Sequence, residues 1–213
     1  MKIQTVIFDV GNVLAAFRWK DYLQAFGFSP AFQEELGRIL FLDPLWFEWD
    51  RGVMTEEEIV EVFCRKHPNY RAEIHRVLDN PYDLVHEYPD SADWIREVQG
   101  LGCQALLLSN YSRKTFTYAY EHFDCLKLTD GGVISYQEKI VKPEPEIYRR
   151  LIGRYALDPA ACVFLDDSPA NCQGAEAFGI RTILVQDRAA ARRELRALLA
   201  SSSRKPFFSQ VAT

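Results

Sequence analysis

Four short apolar runs, Ile3 to Phe8, Gln104 to Leu108, Cys162 to Leu165 and Arg181 to Val185, have the near-continuous hydrophobicity of strands buried on both faces of a parallel sheet. Segments with helical spacing lie between them. Leu84 to Leu101 reads as a helix stopped by Gly102, and Pro145 to Tyr155 as another. Pro169 to Phe178 reads as a helix ending against Gly179, a residue suited to a left-handed cap. Strand followed by helix, repeated, predicts an α/β protein with a Rossmann-like, doubly wound parallel sheet.

Between the first strand and Tyr82 the strand pattern is missing. Pro30 to Leu40, Thr55 to Lys66 and Tyr70 to Leu78 each look helical, and Thr55 with Glu58 makes a capping box for the middle one. The stretch is too long for a simple crossover. Residues 16–81 are therefore expected to form an inserted all-helical cap lobe over a catalytic core of residues 1–15 and 82–200. A flexible tail is expected over 201–213, which opens Ser201-Ser202-Ser203. With 213 residues and 48% hydrophobic content, the chain can bury one α/β core and a small accessory lobe.

A formal net charge of -5 gives no chain-wide basic footprint for a phosphate backbone, so nucleic acid is not an expected partner. The cysteines are odd in number, five, without a CxxC spacing, and read as reduced, mostly buried thiols. No apolar segment is long enough to span a bilayer, and Asp9 and Asn12 interrupt the amino-terminal one before a signal-like run is complete. A cytoplasmic location without a membrane partner is the expectation, as monomer or homodimer. The four histidines lack paired ligand spacing and read as structural or solvated.

Chemistry is concentrated at the strand ends. Asp9 closes the first run and Asp166-Asp167 the third, so in an open parallel sheet they meet in the crevice at the carboxyl ends of the strands. Adjacent carboxylates repel unless one is protonated or a cation binds. Magnesium suits such a site, because it takes oxygen ligands and uses few carboxylates together with water and substrate phosphate. Each acid has a plainer alternative as a turn or helix cap, Asp167 or Ser168 capping the helix that starts at Pro169.

Four motifs in order, Phe8-Asp9-Val10-Gly11-Asn12-Val13, Leu107-Leu108-Ser109-Asn110, Val141-Lys142-Pro143-Glu144-Pro145 and Phe164-Leu165-Asp166-Asp167-Ser168-Pro169-Ala170-Asn171, make the chain resemble the haloacid dehalogenase superfamily. The resemblance covers nearly the whole chain except the tail. It implies that Asp9 is a nucleophile forming an aspartyl phosphate. It implies that Ser109 and Asn110 hold phosphoryl oxygens, and that Lys142 neutralises both Asp9 and the transferring group. Asp9, the Gly11 carbonyl, Asp167 and, directly or through water, Asp166 are the implied magnesium site.

Gly11 departs from the pattern of many family phosphatases, which carry a second Asp there as general acid and base. A positioned acid contributes ~10²- to 10⁴-fold, so poor leaving groups should suffer unless water, substrate or a lobe residue substitutes. The Asp-x-Gly-Asn version is similar to the subgroup that includes bacterial α-D-glucose-1-phosphatases, which implies a small phosphorylated metabolite, a sugar phosphate, as substrate. Two other readings stand beside it: a metal-independent 2-haloacid dehalogenase and a weakly catalytic phospho-ligand-binding protein. Phe17, Arg18, Trp19, Trp46, Trp49 and Arg51 are candidate pocket walls in the lobe, although aromatics pack more often in a lobe core. Tyr111 and Arg113 are candidate further contacts, Arg113 alternatively an exposed helix start.

Overall fold

The computed structural model describes residues 2–203. The chain enters through β1 (Thr5–Phe8) and leaves it into a short strand, β2 (Ala15–Phe17). Helices α1 (Trp19–Gln24), α2 (Pro30–Leu40), α3 (Leu45–Arg51), α4 (Glu56–Lys66) and α5 (Arg71–Leu78) then form the lobe. The return runs through β3 (Val85–Glu87), α6 (Ser91–Gly100), β4 (Gln104–Ser109), α7 (Arg113–His122), α8 (Asp124–Leu128) and β5 (Gly132–Ile134). The last part comprises α9 (Ser135–Glu138), α10 (Pro145–Arg154), β6 (Cys162–Asp166), α11 (Pro169–Glu176), β7 (Arg181–Leu184) and α12 (Arg188–Ser203).

Five strands pair in parallel in the order β5-β4-β1-β6-β7. The central β1 sets Thr5 beside Gln104 on one side and Cys162 on the other. The alternation of its side chains divides the core. Val6 and Phe8 face a layer with Trp94 and Val98 of α6 and Leu195 of α12, whereas Ile7 faces Ile147, Tyr148 and Leu151 of α10. Burial on both sides explains why these runs show continuous hydrophobicity without a polar face.

The expected helix over 84–101 begins only at Ser91, because Val85–Glu87 pairs antiparallel with Ala15–Phe17. Pro89 gives the physical reason: it disfavours helical geometry at Tyr88 and cannot lie inside a helix. The lobe thus stands on a two-stranded stalk that hydropathy did not reveal. The fifth strand, β5, also escaped prediction. At three residues it shows no period, and a Cβ on Gly132 would come within 2.6 Å of the Leu107 side chain, so the close approach of β5 to β4 requires glycine there.

Local signals in the lobe are realised. The Thr55 hydroxyl accepts from the Glu58 amide at 3.2 Å, and the Glu58 carboxylate accepts from the Thr55 amide at 2.8 Å. Tyr22, Leu36, Ile39, Phe63, Ile74 and Val77 form a separate buried cluster inside the lobe. All five cysteines are free and buried. Residues 201–203, assigned to the tail, belong to the last turn of α12, and the tail beyond them lies outside the described residues. No helix among the described residues is long and apolar enough to cross a membrane.

Candidate active site

The switch point of the sheet is β1, with β4 on one side and β6 on the other, and the crevice beyond these strand ends is where open α/β sheets bind ligands. Asp9 follows β1 directly, its amide bound to Leu165 O at 2.9 Å. Three donors converge on its Oδ1: the Val10 amide at 2.8 Å, the Ser109 hydroxyl at 2.7 Å and Lys142 Nζ at 2.9 Å. That convergence fixes the carboxylate and leaves Oδ2 without a hydrogen-bond partner among the described residues.

Lys142 lies fully buried between two acids, 2.6 Å from Asp166 Oδ2 and 2.9 Å from Asp9 Oδ1, with its ammonium over the Phe164 ring. Burial pulls the lysine down, but Asp166 and Asp9 outweigh it and hold it above the ordinary lysine range. Burial also pushes the Asp9 carboxyl up to about 7, with Asp166 adding to the rise and Lys142 and Ser109 opposing it. Both effects follow from removing charges from water and pairing them at close range.

Asp9, Asp166 and Asp167 bring carboxylate oxygens within 4.8 Å of one another. Their hydrogen-bond partners separate their roles. Asp166 is completely buried, and its oxygens are taken by Lys142, by the Asn171 side-chain amide at 3.0 and 3.2 Å and by the Ser168 amide at 2.8 Å. Asp167 lines the open cavity, held by Asn12 Nδ2 at 2.8 Å on Oδ2. Burial raises the Asp167 carboxyl, with Asn12 opposing and Asp166 adding to the rise. The donor set facing the cavity, Asp9, Asp167 and the Gly11 backbone, is all oxygen and fits magnesium; Asp166 is committed to placing Lys142.

Ser109 and Asn110 are where the motif put them, Asn110 on the cavity lining, and both also hold protein groups. Ser109 is buried and orients Asp9, while the Asn110 amide clamps the Lys142 backbone, accepting from its N–H at 2.8 Å and donating to its C=O at 3.1 Å. Arg113 does not reach the cavity: it opens α7, with its guanidinium over the Tyr136 ring. Ser112, just before it, caps the helix by accepting from the Thr115 amide.

The cavity over Asp9 measures about 350 Å³, the scale of a small metabolite. Phe17, Trp46, Phe47, Leu84 and Val85 supply its apolar wall. Trp19 and Trp49 pack in the lobe, Arg18 pairs with Asp21, and Arg51 pairs with Glu48 and Glu144, so these four are not wall residues. Tyr111 is on the wall and buried, its hydroxyl without a partner among the described residues.

Sequence reasoning missed Asp50, Asn12 and Asn171 as site residues. Asn12 and Asn171 lie within the first and last of the four motifs, and the signal for Asn12 is its position after Gly11: it adopts φ 54, a left-handed conformation that asparagine tolerates. Asp50 carries no local signal, because α3 alone brings it to the crevice. In the lobe, Glu61, Cys64 and His75 also converge, but Arg71 pairs with Glu61 and Asp79 lies 3.3 Å from His75 Nδ1, so two of the three side chains already have partners.

The model of the haloacid dehalogenase-like hydrolase family matches residues 3–179, and the chain belongs to that family of hydrolases. Among curated proteins it is 28% identical over 159 residues to mouse acyl-CoA dehydrogenase family member 10, covering 72% of this chain and 15% of that protein. It is 23% identical over 150 residues to (S)-2-haloacid dehalogenase 4A of Burkholderia cepacia, covering 66% of this chain and 65% of the other. The chain thus spans less than two thirds of these relatives. A family enzyme from Bacteroides thetaiotaomicron, solved with magnesium and inorganic phosphate, superposes with TM-score 0.69 at 21% identity, covering 88% of this chain and 98% of that one. At that identity the likeness is one of fold.

Proposed function

We propose that this hydrolase is a magnesium-dependent phosphatase of small phosphomonoesters, a sugar phosphate of the α-D-glucose 1-phosphate type being the leading substrate. The observation that carries the reading is the charge of the cavity. Its lining sets the carboxylates of Asp9 and Asp167 against one cation, Lys142, which is already shared between Asp9 and Asp166. An anionic substrate has no unpaired side-chain cation to meet there. A bound divalent ion removes that obstacle, and Asp9, Asp167 and Gly11 are the residues that would hold it.

In this reading Asp9 Oδ2 attacks phosphorus in line with the leaving oxygen and forms an aspartyl phosphate, which water then hydrolyses. Lys142, fixed by Asp166 and by the Asn110 clamp, offsets the negative charge on Asp9 and the phosphoryl group. Ser109 keeps the nucleophile in its attacking orientation. Magnesium, when bound, supplies charge neutralisation of the phosphoryl oxygens. The apolar wall from the lobe limits water around the reacting centre.

The dehalogenase reading has support in the Burkholderia relative. It is disfavoured by the same charge count, since a haloacid carboxylate also needs a cation. The deciding assay measures phosphate release from sugar phosphates and p-nitrophenyl phosphate, and halide release from 2-haloacids, with magnesium or chelator. Magnesium-dependent phosphate release that Asp9→Asn abolishes is the expected result. Halide release undiminished by chelator would replace the proposal with the dehalogenase. Magnesium binding by calorimetry without turnover on any substrate would favour a binding protein.

A further inference from the structure

Expelling an alkoxide from phosphorus requires a proton donor, and the water that later attacks the aspartyl phosphate requires a base. Most acidic and basic groups lining the cavity are committed elsewhere. Asp9 is the nucleophile, Lys142 is locked between two carboxylates, and Asp167 is held by Asn12 at the cation site. Burial, with Asp50 and Asp9 adding to it, keeps the Tyr111 phenol far above its usual range, so it stays a neutral hydrogen-bond donor. Asp50 remains.

Asp50 is in the last turn of α3, 7% exposed, on the wall of the cavity that contains Asp9. Its placement is fixed by the core. The Ser135 hydroxyl donates to the Asp50 carbonyl at 2.6 Å, and the same hydroxyl accepts from the Tyr111 amide at 2.9 Å, so the backbones of Asp50 and Tyr111 share one anchor. The next residues secure the corner: Arg51 forks onto Glu144, Lys139 Nζ donates to the Gly52 carbonyl, and Gly52 at φ 66 sits against Tyr136. The Asp50 carboxylate has no salt-bridge partner among the described residues. Asp9, Lys142, Glu56 and the Ser112 amide are the groups that act on it.

Burial first, then Asp9, push the Asp50 carboxyl up to about 8, with Lys142 and the Ser112 amide opposing. A buried carboxyl without a cationic partner favours its protonated form, which is what a proton donor on this wall requires.

We propose that Asp50 is the proton-transfer residue of this site, a lobe carboxyl standing in for the acid that position 11 lacks. This rests on the phosphatase reading. As Asp9 Oδ2 forms its bond to phosphorus and the bond to the leaving oxygen breaks, the Asp50 carboxyl gives its proton to that oxygen and an alcohol departs. The Asp50 carboxylate then takes a proton from the water attacking phosphorus, the bond to Asp9 breaks, inorganic phosphate leaves, and Asp50 is again protonated.

The test compares wild type with Asp50→Asn on alkyl phosphates, from ethyl phosphate to α-D-glucose 1-phosphate, and on p-nitrophenyl phosphate, whose leaving group needs no proton. The expected loss on alkyl phosphates is ~10²- to 10⁴-fold. On p-nitrophenyl phosphate the variant should release about one nitrophenol per enzyme in a burst and then stall, with a phosphoryl adduct on Asp9 visible by intact-protein and peptide mass spectrometry. Introducing Gly11→Asp into the Asp50→Asn protein should restore turnover, since a Cβ at Gly11 meets nothing within 4 Å. Equal losses on both substrate types without adduct, from a variant whose thermal unfolding matches wild type, would overturn the role of Asp50 alone. Wild type that releases phosphate from no substrate would instead overturn the phosphatase reading, and this inference with it.

Discussion

Asp9 and Asp50 are carboxyls taken out of water in the lining of one cavity, and their environments answer the cost differently. Asp9 has Lys142, Ser109 and the Val10 amide, which stabilise its charged form, whereas Asp50 has the Ser112 amide and a more distant lysine. The sign of the consequence is fixed by linkage. A carboxyl whose folded pKa rises from 3.8 to about 8 favours the folded state at low pH, and that stability is lost as pH climbs through this window. Asp50→Asn removes the titrating group, so between pH 5 and pH 8 the metal-free variant should lose less stability than wild type, by an amount on the order of a few kcal/mol. Denaturant unfolding of both proteins at the two pH values checks this. Parallel pH dependence would show that the Asp50 carboxyl titrates as an ordinary exposed acid. At this scale Asp9 and Asp167 were legible because each sits in a short motif at a strand end, and Lys142 because its Lys-Pro loop before α10 belongs to the same ordered set of motifs. Asp50 and Tyr111 were less so, because a hydroxyl on β5–α9 ties them together across 61 residues of chain.

Elements with a strong local code were readable: α4 through its capping box, β1, β4 and β6 through continuous hydrophobicity. Those held by partners were not. The stalk strands β2 and β3 are three residues each and exist because they pair with each other. Arg51 illustrates the same limit, for a cationic tip in sequence becomes a clasp between lobe and core in the structure. Its guanidinium makes two bonds to Glu144, at 3.0 and 2.7 Å, just before α10. Arg51 is about one-fifth exposed and Glu144 more so, which keeps the pair's contribution to roughly 1 kcal/mol or less. Arg51→Ala should therefore leave the protein folded but loosen the lobe over the cavity, raising KM a few-fold with a smaller change in kcat, and the effect should shrink in high salt. An unchanged KM across salt concentrations would show that the clasp does not govern access.

For the whole molecule, the lobe has an apolar core distinct from the two layers that flank the sheet, and the stalk and a few polar clasps connect them. Such an arrangement allows sub-global opening. Phe63→Ala, at the centre of the lobe cluster, should cost about 3 to 5 kcal/mol locally. Hydrogen exchange should then speed up in α2, α4 and α5 while β1, β4 and β6 stay protected; acceleration spread evenly over both regions would mean one cooperative unit. The sequence by itself determined the layered α/β plan, the inserted helical lobe and the strand-end acids, since hydrophobic period, caps and motif spacing are local properties of the chain. Only the tertiary structure decided that Asp166 serves Lys142, that Arg113 faces away and that Asp50 joins Asp9 in one cavity. Those outcomes depend on burial and on partners distant in sequence, and a carboxyl's chemistry is set by the groups and the water around it.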